Sequence, residues 1–416
     1  AIEQVQHAKS LGFMVVVTDH HHPAETLPPA DVIVNPKIPG DTYPFKSFAG
    51  VGLAYKLAEA VSELAGIGKP ESGLDLVALG TVADLAPLRD ENRRLVAQGL
   101  ERMNRRSRIG LSALVEVAGL KSEITATDIA FRLAPRINAA GRMASAQEPL
   151  QLLLTDDKAE AKRLATTLDQ HNRRRQAETS RAVERAGQRL LRGPEESTLL
   201  FALDEEFHEG VVGLAASRLL EQYYRPVLIA RIKEGVVKGS ARSVPEFHIT
   251  EALEACSDLL LEFGGHAAAA GFQLNEEDLS EFYDRMDLYT QEKLEGELLR
   301  PSLKVDAVVS PEDLNVGLLD TMEAMKPFGH GNPAPLLVAE AMHVVGHRRV
   351  GSDGAHLKMT LHNGERYFDS IGFRLGDRAG EISNRLDVAF QYEWNEYRGT
   401  RTDQLNIIDF RQPETA

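Results

Sequence analysis

The stretch Met14-Val15-Val16-Val17-Thr18-Asp19-His20-His21-His22-Pro23 runs from apolar to polar without an intervening glycine. Apolar, mostly β-branched residues that stop abruptly at polar ones predict a buried strand whose carboxyl end opens into a loop. Open α/β sheets place their ligand sites at such ends. One carboxylate beside adjacent imidazoles offers oxygen and nitrogen ligands suited to a divalent transition metal, with one ring left to meet a substrate phosphate. A polar strand-to-loop turn is the plainer alternative.

Outward from this junction the chain changes pattern three times. Up to about residue 155, strand-like runs (Met14–Val17, Val32–Val34, Leu74–Leu79) alternate with helical patterns (Ile2–Leu11, Ala49–Leu64). Such alternation predicts βαβ units around a mostly parallel sheet. From Asp156 to about Arg192 there is no proline, and no glycine until Gly187, so the Ala, Leu, Glu, Gln and Arg residues predict one long helix. The Thr155-Asp156-Asp157 cluster is its expected cap. Its basic band His171-Asn172-Arg173-Arg174-Arg175 is either a nucleic-acid contact or a solvated face.

After Gly193-Pro194 short strands and helices resume (Thr198–Leu203, Val212–Leu220, Pro226–Ile232, Ile249–Leu261), predicting a second α/β domain to about residue 300. From Pro301 onward a Pro-Phe-Gly-His-Gly-Asn-Pro-Ala-Pro loop (327–335) precedes short strands at Leu336–Val345, His356–Leu361, Asp387–Trp394 and Gln404–Ile408. Regularly spaced strands with turn signals predict a small β barrel of the oligonucleotide-binding type. The expected domains are therefore 1–155, a connecting helix 156–192, 193–300 and 301–416.

Bulk composition narrows the function classes. With 416 residues the chain holds more than one domain, and 62 acidic against 47 basic side chains leave a net charge of −15. That balance disfavours nucleic-acid binding over the whole surface and leaves room for a local basic groove. The single cysteine, Cys256, forms no internal disulfide, and neither a membrane-length apolar stretch nor a signal peptide is present, so a reducing cytoplasm is expected.

Four further segments carry chemistry. Asp84 ends Leu74-Asp75-Leu76-Val77-Ala78-Leu79-Gly80-Thr81-Val82-Ala83-Asp84, read as a buried strand and a glycine, where its carboxylate either reaches a metal held by the histidines or caps the next helix. Ala134-Pro135-Arg136-Ile137-Asn138-Ala139-Ala140-Gly141-Arg142 reads as a loop in which two arginine forks flank an amide, fit for an anionic substrate or for solvent. Lys238-Gly239-Ser240-Ala241-Arg242-Ser243 offers hydroxyls, amides and Arg242 to a terminal phosphate. In Phe263-Gly264-Gly265-His266 the paired glycines free the backbone, and the four alanines that follow predict a closely packed helix. His266 then either starts that helix or touches substrate.

Taken in order, TDHHHP (18–23), GTVAD (80–84), APRINAAGR (134–142), HEGVVGLAASR (208–218), KGSARS (238–243), GGHAAAAGF (264–272) and PFGHGNP (327–333) resemble the DHH phosphoesterase superfamily. Within it they are most similar to the RecJ family of single-strand-specific exonucleases. The Asp-His-His and Gly-Gly-His elements are shared with pyrophosphatases and nanoRNases, while the full series covers nearly the whole chain.

The resemblance implies a two-metal phosphodiesterase, served by manganese or magnesium, that removes nucleotides from the 5′ end of single-stranded DNA in repair and recombination. Two cations together bind the scissile phosphate, activate water and stabilise the leaving oxygen. Carried over, His20 is a metal ligand, Asp84 a metal-binding carboxylate, Asp19 an orienting group and His21 a phosphate contact. Ser240 and Arg242 would hold the 5′-terminal phosphate, and His266, Arg136, Asn138 and Arg142 would line the path of the strand. The barrel would bind single strands, with Phe328, Tyr392, Trp394 and Tyr397 as stacking candidates. A single-strand-binding protein and a helicase are further candidate partners.

Departures qualify the resemblance. Family members carry an Asp-x-Asp-x-Asp-Gly motif and a further aspartate upstream of the Asp-His-His strand, whereas this sequence contains no Asp-x-Asp and begins at Ala1. Ala241 stands where relatives commonly place glycine. The chain is thus expected to be the carboxyl-terminal majority of an exonuclease, metal-poor and inactive alone, with an exposed apolar sheet. The alternatives are a non-catalytic single-strand-binding or scaffold relative, and a phosphodiesterase for oligoribonucleotides or cyclic dinucleotides.

Overall fold

The computed structural model describes residues 2–413 apart from 144, 192, 194–196, 297–298 and 398–399. Two compact units account for them: Ala1–Ser107 with Ser122–Ala134 and Leu303–Ala416, and Arg108–Lys121 with Pro135–Ser302. No helix among the described residues is long and apolar enough to cross a membrane.

Helix α1 (Ile2–Ser10) leads into strand β1 (Val16–Thr18), which pairs in parallel with β2 (Val32–Val34). The Asp19 N–H extends the ladder to the Val34 carbonyl at 3.1 Å, so Asp19 is the first residue past the strand. This short sheet has an apolar exposed side: Phe13 is 63 % and Met14 84 % exposed, and Val16 and Val32 are half exposed. Helix α2 (Gly50–Leu64) buries Leu53 and Tyr55 against Phe48, Leu74, Val77 and Leu95.

The run Leu74–Leu79, expected as a strand, is instead the start of helix α3 (Leu74–Ala83), which packs on α4 (Asp90–Asn104). Leu74, Asp75, Val77, Ala78, Leu79, Thr81 and Val82 are all buried, so the helix has almost no polar face to print a helical period on the sequence. Close contact between the two helices requires Gly99, where an added Cβ would lie 2.2 Å from the Leu74 carbonyl oxygen.

Helix α5 (Ile109–Val117) belongs to the second unit, and α6 (Ala126–Asp128) to the first. A capping box starts α6: Thr125 Oγ1 accepts the Asp128 N–H, and the Asp128 carboxylate accepts the Thr125 N–H. A π-helical turn, Ile129–Leu133, follows, and then α7 (Ala134–Met143). The expected loop at 134–142 is therefore helical. Its Pro135 lacks an N–H and would crowd the carbonyl four residues earlier, and the widened turn just before it accommodates both demands. Ala139 and Ala140 are fully buried on α7.

Helices α8 (Gln147–Leu154) and α9 (Lys158–Gln188) come next, α9 being the long helix foreseen. Asp157 caps it, accepting the Glu160 N–H at 2.8 Å. In chain order there follow β3 (Leu200–Asp204), α10 (Glu209–Tyr223), β4 (Val227–Lys233), β5 (Val236–Arg242), α11 (Ile249–Glu254), β6 (Leu260–His266), β7 (Ala269–Asn275) and α12 (Leu279–Lys293). The sheet order is β3-β4-β5-β7-β6, parallel between β3 and β4 and antiparallel elsewhere. Helix α9 packs along α5, α8 and α10.

No helix follows His266, contrary to expectation. His266 ends β6 and pairs with Ala269 of β7, so the alanines form the turn and start of a hairpin. Gly265 makes this approach possible, since a Cβ there would lie 2.3 Å from the Ala269 carbonyl oxygen. Cys256 is buried in the same core, and burial pushes its thiol up to about 11, which keeps it protonated at neutral pH.

In the first unit, β8 (Ala307–Val308) and α13 (Val316–Ala324) precede β9 (Leu337–Val350), β10 (His356–His362), β11 (Tyr367–Gly372), β12 (Arg385–Tyr397) and β13 (Thr400–Arg411). The order β10-β11-β13-β12-β9, closed by β9 pairing with β10, is a five-stranded barrel of the oligonucleotide-binding type. Strand β11 escapes a sequence reading because Asp369 and Ser370 interrupt a short run, yet Ser370 is fully buried with its hydroxyl donating to the Met359 carbonyl. The glycine-rich loop after α13 is pinned to the segment before α4: Leu88 N–H donates to the His330 carbonyl at 2.7 Å and Arg89 Nε to the Gly331 carbonyl at 2.8 Å.

Of the proposed stacking aromatics, Tyr392 is a core residue. It is 4 % exposed and donates its hydroxyl to Asp403 at 2.8 Å. Trp394 packs partly against the core, with the Arg401 guanidinium 4.5 Å over its ring. Phe328 lines a small cleft with Leu85 and Phe131, and the Tyr397 side chain lies outside the described residues.

Candidate active site

Strand β1 delivers the Asp-His-His cluster as its first residues beyond the sheet. Asp19 Oδ1 accepts three N–H groups: His20 backbone at 2.7 Å, His21 backbone at 3.1 Å and His21 Nδ1 at 2.7 Å. Burial works against ionisation of Asp19, but the His21 and His20 donors outweigh it and hold the carboxyl below its ordinary value. The loop is fixed from the other side by Asn35, which donates to the His21 carbonyl at 2.9 Å and accepts the Lys37 N–H at 2.9 Å.

His20 turns the opposite way. Its ring faces Gly50 at the start of α2, where an added Cβ would lie 3.4 Å from His20 Cδ2. Its Nδ1 is 3.6 Å from Asp84 Oδ2, and the two side chains are 21 % and 48 % exposed. Asp84 ends helix α3, not a strand, with its N–H bonded to the Gly80 carbonyl at 3.0 Å. Leu85 then takes a left-handed φ of 54°, which turns the chain away from the helix.

Ligand atoms of Asp19, His20 and His21 all lie within 4.8 Å of one another, the one such group of three or more among the described residues. With Asp84 beside His20, the donor set is two carboxylates and two imidazoles, which fits a divalent cation such as manganese. A pair of hard cations takes more oxygen ligands than these.

A second cluster forms in the other unit. Ser240 and Arg242 sit on β5 facing α10, because Gly213 leaves room: a Cβ there would lie 2.8 Å from Arg242 Nη2 and 3.4 Å from Ser240 Oγ. Arg242 Nε donates to Ser217 Oγ at 3.2 Å and Nη1 to the Ala241 carbonyl at 2.7 Å. Across the sheet Arg242 is level with Ala269 and Ala269 with His266, so the exposed His266 shares a row with the arginine. Hydroxyls and a guanidinium so grouped suit a phosphate.

Arg136 is occupied by a carboxylate: its Nε and Nη2 donate to Asp169 at 2.9 and 2.8 Å, and Asp169 also accepts Arg173 Nε at 2.8 Å. Asn138 is exposed on α7, and the Arg142 side chain lies outside the described residues. Asn35 was not picked out from the sequence, and Gly213 and Ser217 entered it only within the HEGVVGLAASR segment (208–218), with no role of their own. Asn35-Pro36 just after β2 was a usable turn signal. For Gly213 and Ser217 the signal was the 208–218 segment, since taken singly they are ordinary residues on a helix.

Residues 1–81 match the DHH family, N-terminal domain, residues 196–292 the DHHA1 domain and residues 305–409 the RecJ OB domain. The single-stranded-DNA-specific exonuclease RecJ of Bacillus subtilis is 38 % identical over 415 residues, covering 98 % of this chain and 52 % of that protein. The Haemophilus influenzae RecJ is 37 % identical, with 99 % of this chain and 76 % of that protein covered. The crystal structure of Thermus thermophilus RecJ in complex with Mn2+ matches with a TM-score of 0.85 and 35 % identity, covering 100 % of this chain and 61 % of that one. This chain thus spans about half the length of the B. subtilis relative. With similar identity to relatives of which it spans three quarters, the chain belongs to the RecJ family of single-stranded-DNA-specific exonucleases.

Proposed function

We propose that this chain carries part of the catalytic machinery of an exonuclease that removes nucleotides from the 5′ end of single-stranded DNA by metal-dependent phosphodiester hydrolysis. The observation that carries the reading is the approach of His20 and Asp84, 64 positions apart, to 3.6 Å. Two groups so close, each partly open to solvent, suit a shared cation. His20 and Asp84 would hold manganese or magnesium, and the bound cation supplies charge stabilisation at the scissile phosphate and lowers the pKa of water. Asp19 fixes the His21 ring through Nδ1–H, and its carboxylate supports the imidazolium form, whose Nε2–H would donate to a phosphate oxygen. Ser240, Ser217 and Arg242 would receive a terminal phosphate, with His266 beside them, and Asn138 and Arg142 would meet the strand. Arg136 would act through Asp169 as a support for α7. A cytoplasmic location, and a single-strand-binding protein and a helicase as partners, belong to the same reading.

Manganese binding to the chain, followed by the electron paramagnetic resonance signal of free Mn2+, tests the metal assignment. His20→Ala and Asp84→Asn should each weaken binding at least tenfold. Unchanged affinity in both variants would overturn it. For the phosphate cluster, Arg242→Ala should abolish the preference for 5′-phosphorylated over 5′-hydroxyl oligonucleotides.

A further inference from the structure

A polar cavity of about 320 Å³ opens in the first unit between α2, the start of α3 and α4. Small-molecule sites occupy roughly 300–1,000 Å³, so the space is large enough for a ligand. One wall is a single face of α4: Arg94, Gln98 and Arg102 follow one another at four-residue spacing, and Arg105 caps the helix. The residues between them, Leu95, Val96, Gly99 and Met103, are buried, which leaves the arginines on the side away from the core. Tyr55, Glu59, Lys69 and Glu71 line the cavity from α2 and the segment that follows it.

The charges of the cavity are unevenly settled. Lys69 lies 3.4 Å from Glu59, which also accepts Lys56 at 2.7 Å, so these three groups satisfy one another. The guanidinium groups of Arg94, Arg102 and Arg105 form no ion pair and no hydrogen bond among the described residues. Arg93, one position away, is by contrast tied to the Met325 carbonyl at 2.7 Å. Against the three unpaired arginines stand the carboxylates of Glu71 and Glu101, which leaves the cavity positive in a chain of net charge −15. The helix dipole accounts for Arg102 and Arg105 at the end of α4 but not for Arg94 in its second turn. Both signs of charge reach Tyr55: burial pushes its hydroxyl above the ordinary value, Glu59 and Glu71 add to this, and Lys56 and Arg94 oppose it.

Guanidinium forks match phosphate oxygens in shape and charge. Three of them gathered without a counter-charge repel one another, and a phosphate dianion removes that repulsion. Glu71, Glu101 and the Gln98 carbonyl are acceptors, which a bare phosphate dianion leaves unused and the hydroxyl and amino groups of a nucleoside fill. We infer that this cavity is a binding site for a nucleoside monophosphate, with the phosphate at Arg94, Arg102 and Arg105 and the nucleoside donors at Glu71, Glu101 and Gln98. It is separate from both clusters described above. Ser240 and Arg242 belong to the other unit, and Leu74 at the cavity is ten residues of α3 from Asp84, about 15 Å of helix rise. Nucleoside monophosphates are the products of the hydrolysis proposed above, so the cavity takes what the catalytic cluster releases; that link rests on the exonuclease reading, and the site itself does not.

Isothermal titration calorimetry of the full chain with deoxyadenosine monophosphate, in the absence of metal, tests the site. The titrations use an Arg242→Ala background, so that the terminal-phosphate cluster adds no heat. Added to that background, Arg94→Gln and Arg102→Gln should each weaken binding about tenfold or more, the loss of one hydrogen bond between charged groups. Inorganic phosphate should bind about tenfold more weakly than the nucleotide, since it lacks the donors for Glu71, Glu101 and Gln98. Thermal melts establish that each variant is folded. Absence of binding in the Arg242→Ala chain, or unchanged affinity in both folded glutamine variants, overturns the site and leaves the manganese test of the catalytic cluster untouched. Inorganic phosphate binding as tightly as the nucleotide overturns the nucleotide assignment.

Discussion

Asp19 Oδ1 lies 2.7 Å from His21 Nδ1 and also accepts the backbone N–H groups of His20 and His21, so one carboxylate oxygen sets both the loop and the tautomer of the second histidine. Nδ1 carries the proton and Nε2 is left as the outward acceptor in the neutral ring.

Asp19→Ala should therefore release the His21 tautomer. Nitrogen-15 NMR of the imidazole should change from the Nδ1–H pattern to a mixture dominated by Nε2–H, with a stability loss of about 1 kcal/mol from the lost hydrogen bonds. An unchanged Nδ1–H pattern in the variant would show that something other than Asp19 orients the ring.

Gly99 controls the depth at which α3 sits on α4. Gly99→Ala puts a methyl group 2.2 Å from the Leu74 carbonyl oxygen, so the helices must separate. A stability loss of about 1–3 kcal/mol is expected by urea denaturation. Because α3 ends at Asp84, the same variant should also weaken manganese binding, although residue 99 is absent from the cluster.

Asp204 gives a pH signature. Its carboxylate accepts Arg185 Nε at 2.7 Å, Arg189 Nε is 3.2 Å away, and the Glu206 N–H donates at 2.9 Å. The Arg185 hydrogen bond is the largest influence and lowers its pKa from 3.8 against the opposing effect of burial. A depressed carboxylate pKa contributes stability above its unfolded value and loses it as pH falls through the folded value. Asp204→Asn should thus cost about 2 kcal/mol at pH 7 and progressively less on acidification below about pH 4. Urea midpoints at pH 7 and pH 3 give the comparison; an equal loss at both pH values would refute the assignment.

Tyr392 separates core from binding surface. Tyr392→Phe removes the 2.8 Å hydrogen bond to Asp403 and should lower stability by about 1 kcal/mol in a thermal melt. Affinity for single strands should be unaltered.

How far each segment was legible depended on whether its pattern was local. The β1 junction was readable because an apolar run stops just before Asp19, and the cap of α9 because Asp157 sits just before a stretch with no proline and no glycine until Gly187. Leu74–Leu79 misled because a helix buried on every side and a buried strand look alike in sequence. Pro135 and Gly141 resemble loop residues, but the π turn at 129–133 absorbs the proline, and the alanines after His266 resemble a helix although the Gly264-Gly265 backbone commits them to a hairpin.

By itself the sequence determined the order of motifs, the adjacency of Asp19, His20 and His21, and the closed-barrel pattern of the last hundred residues, all carried by contiguous residues. Only the tertiary structure decided that Asp84 comes to His20 from the end of a helix, that Arg242 lies against Ser217 through the gap left by Gly213, and that Arg136 is held by Asp169. It also decided which aromatic residues of the barrel face outward. These relationships join residues tens of positions apart, and they are set by the packing of α3 on α4, of β5 on α10 and by strand register. Local propensity and spacing along the chain leave those quantities open.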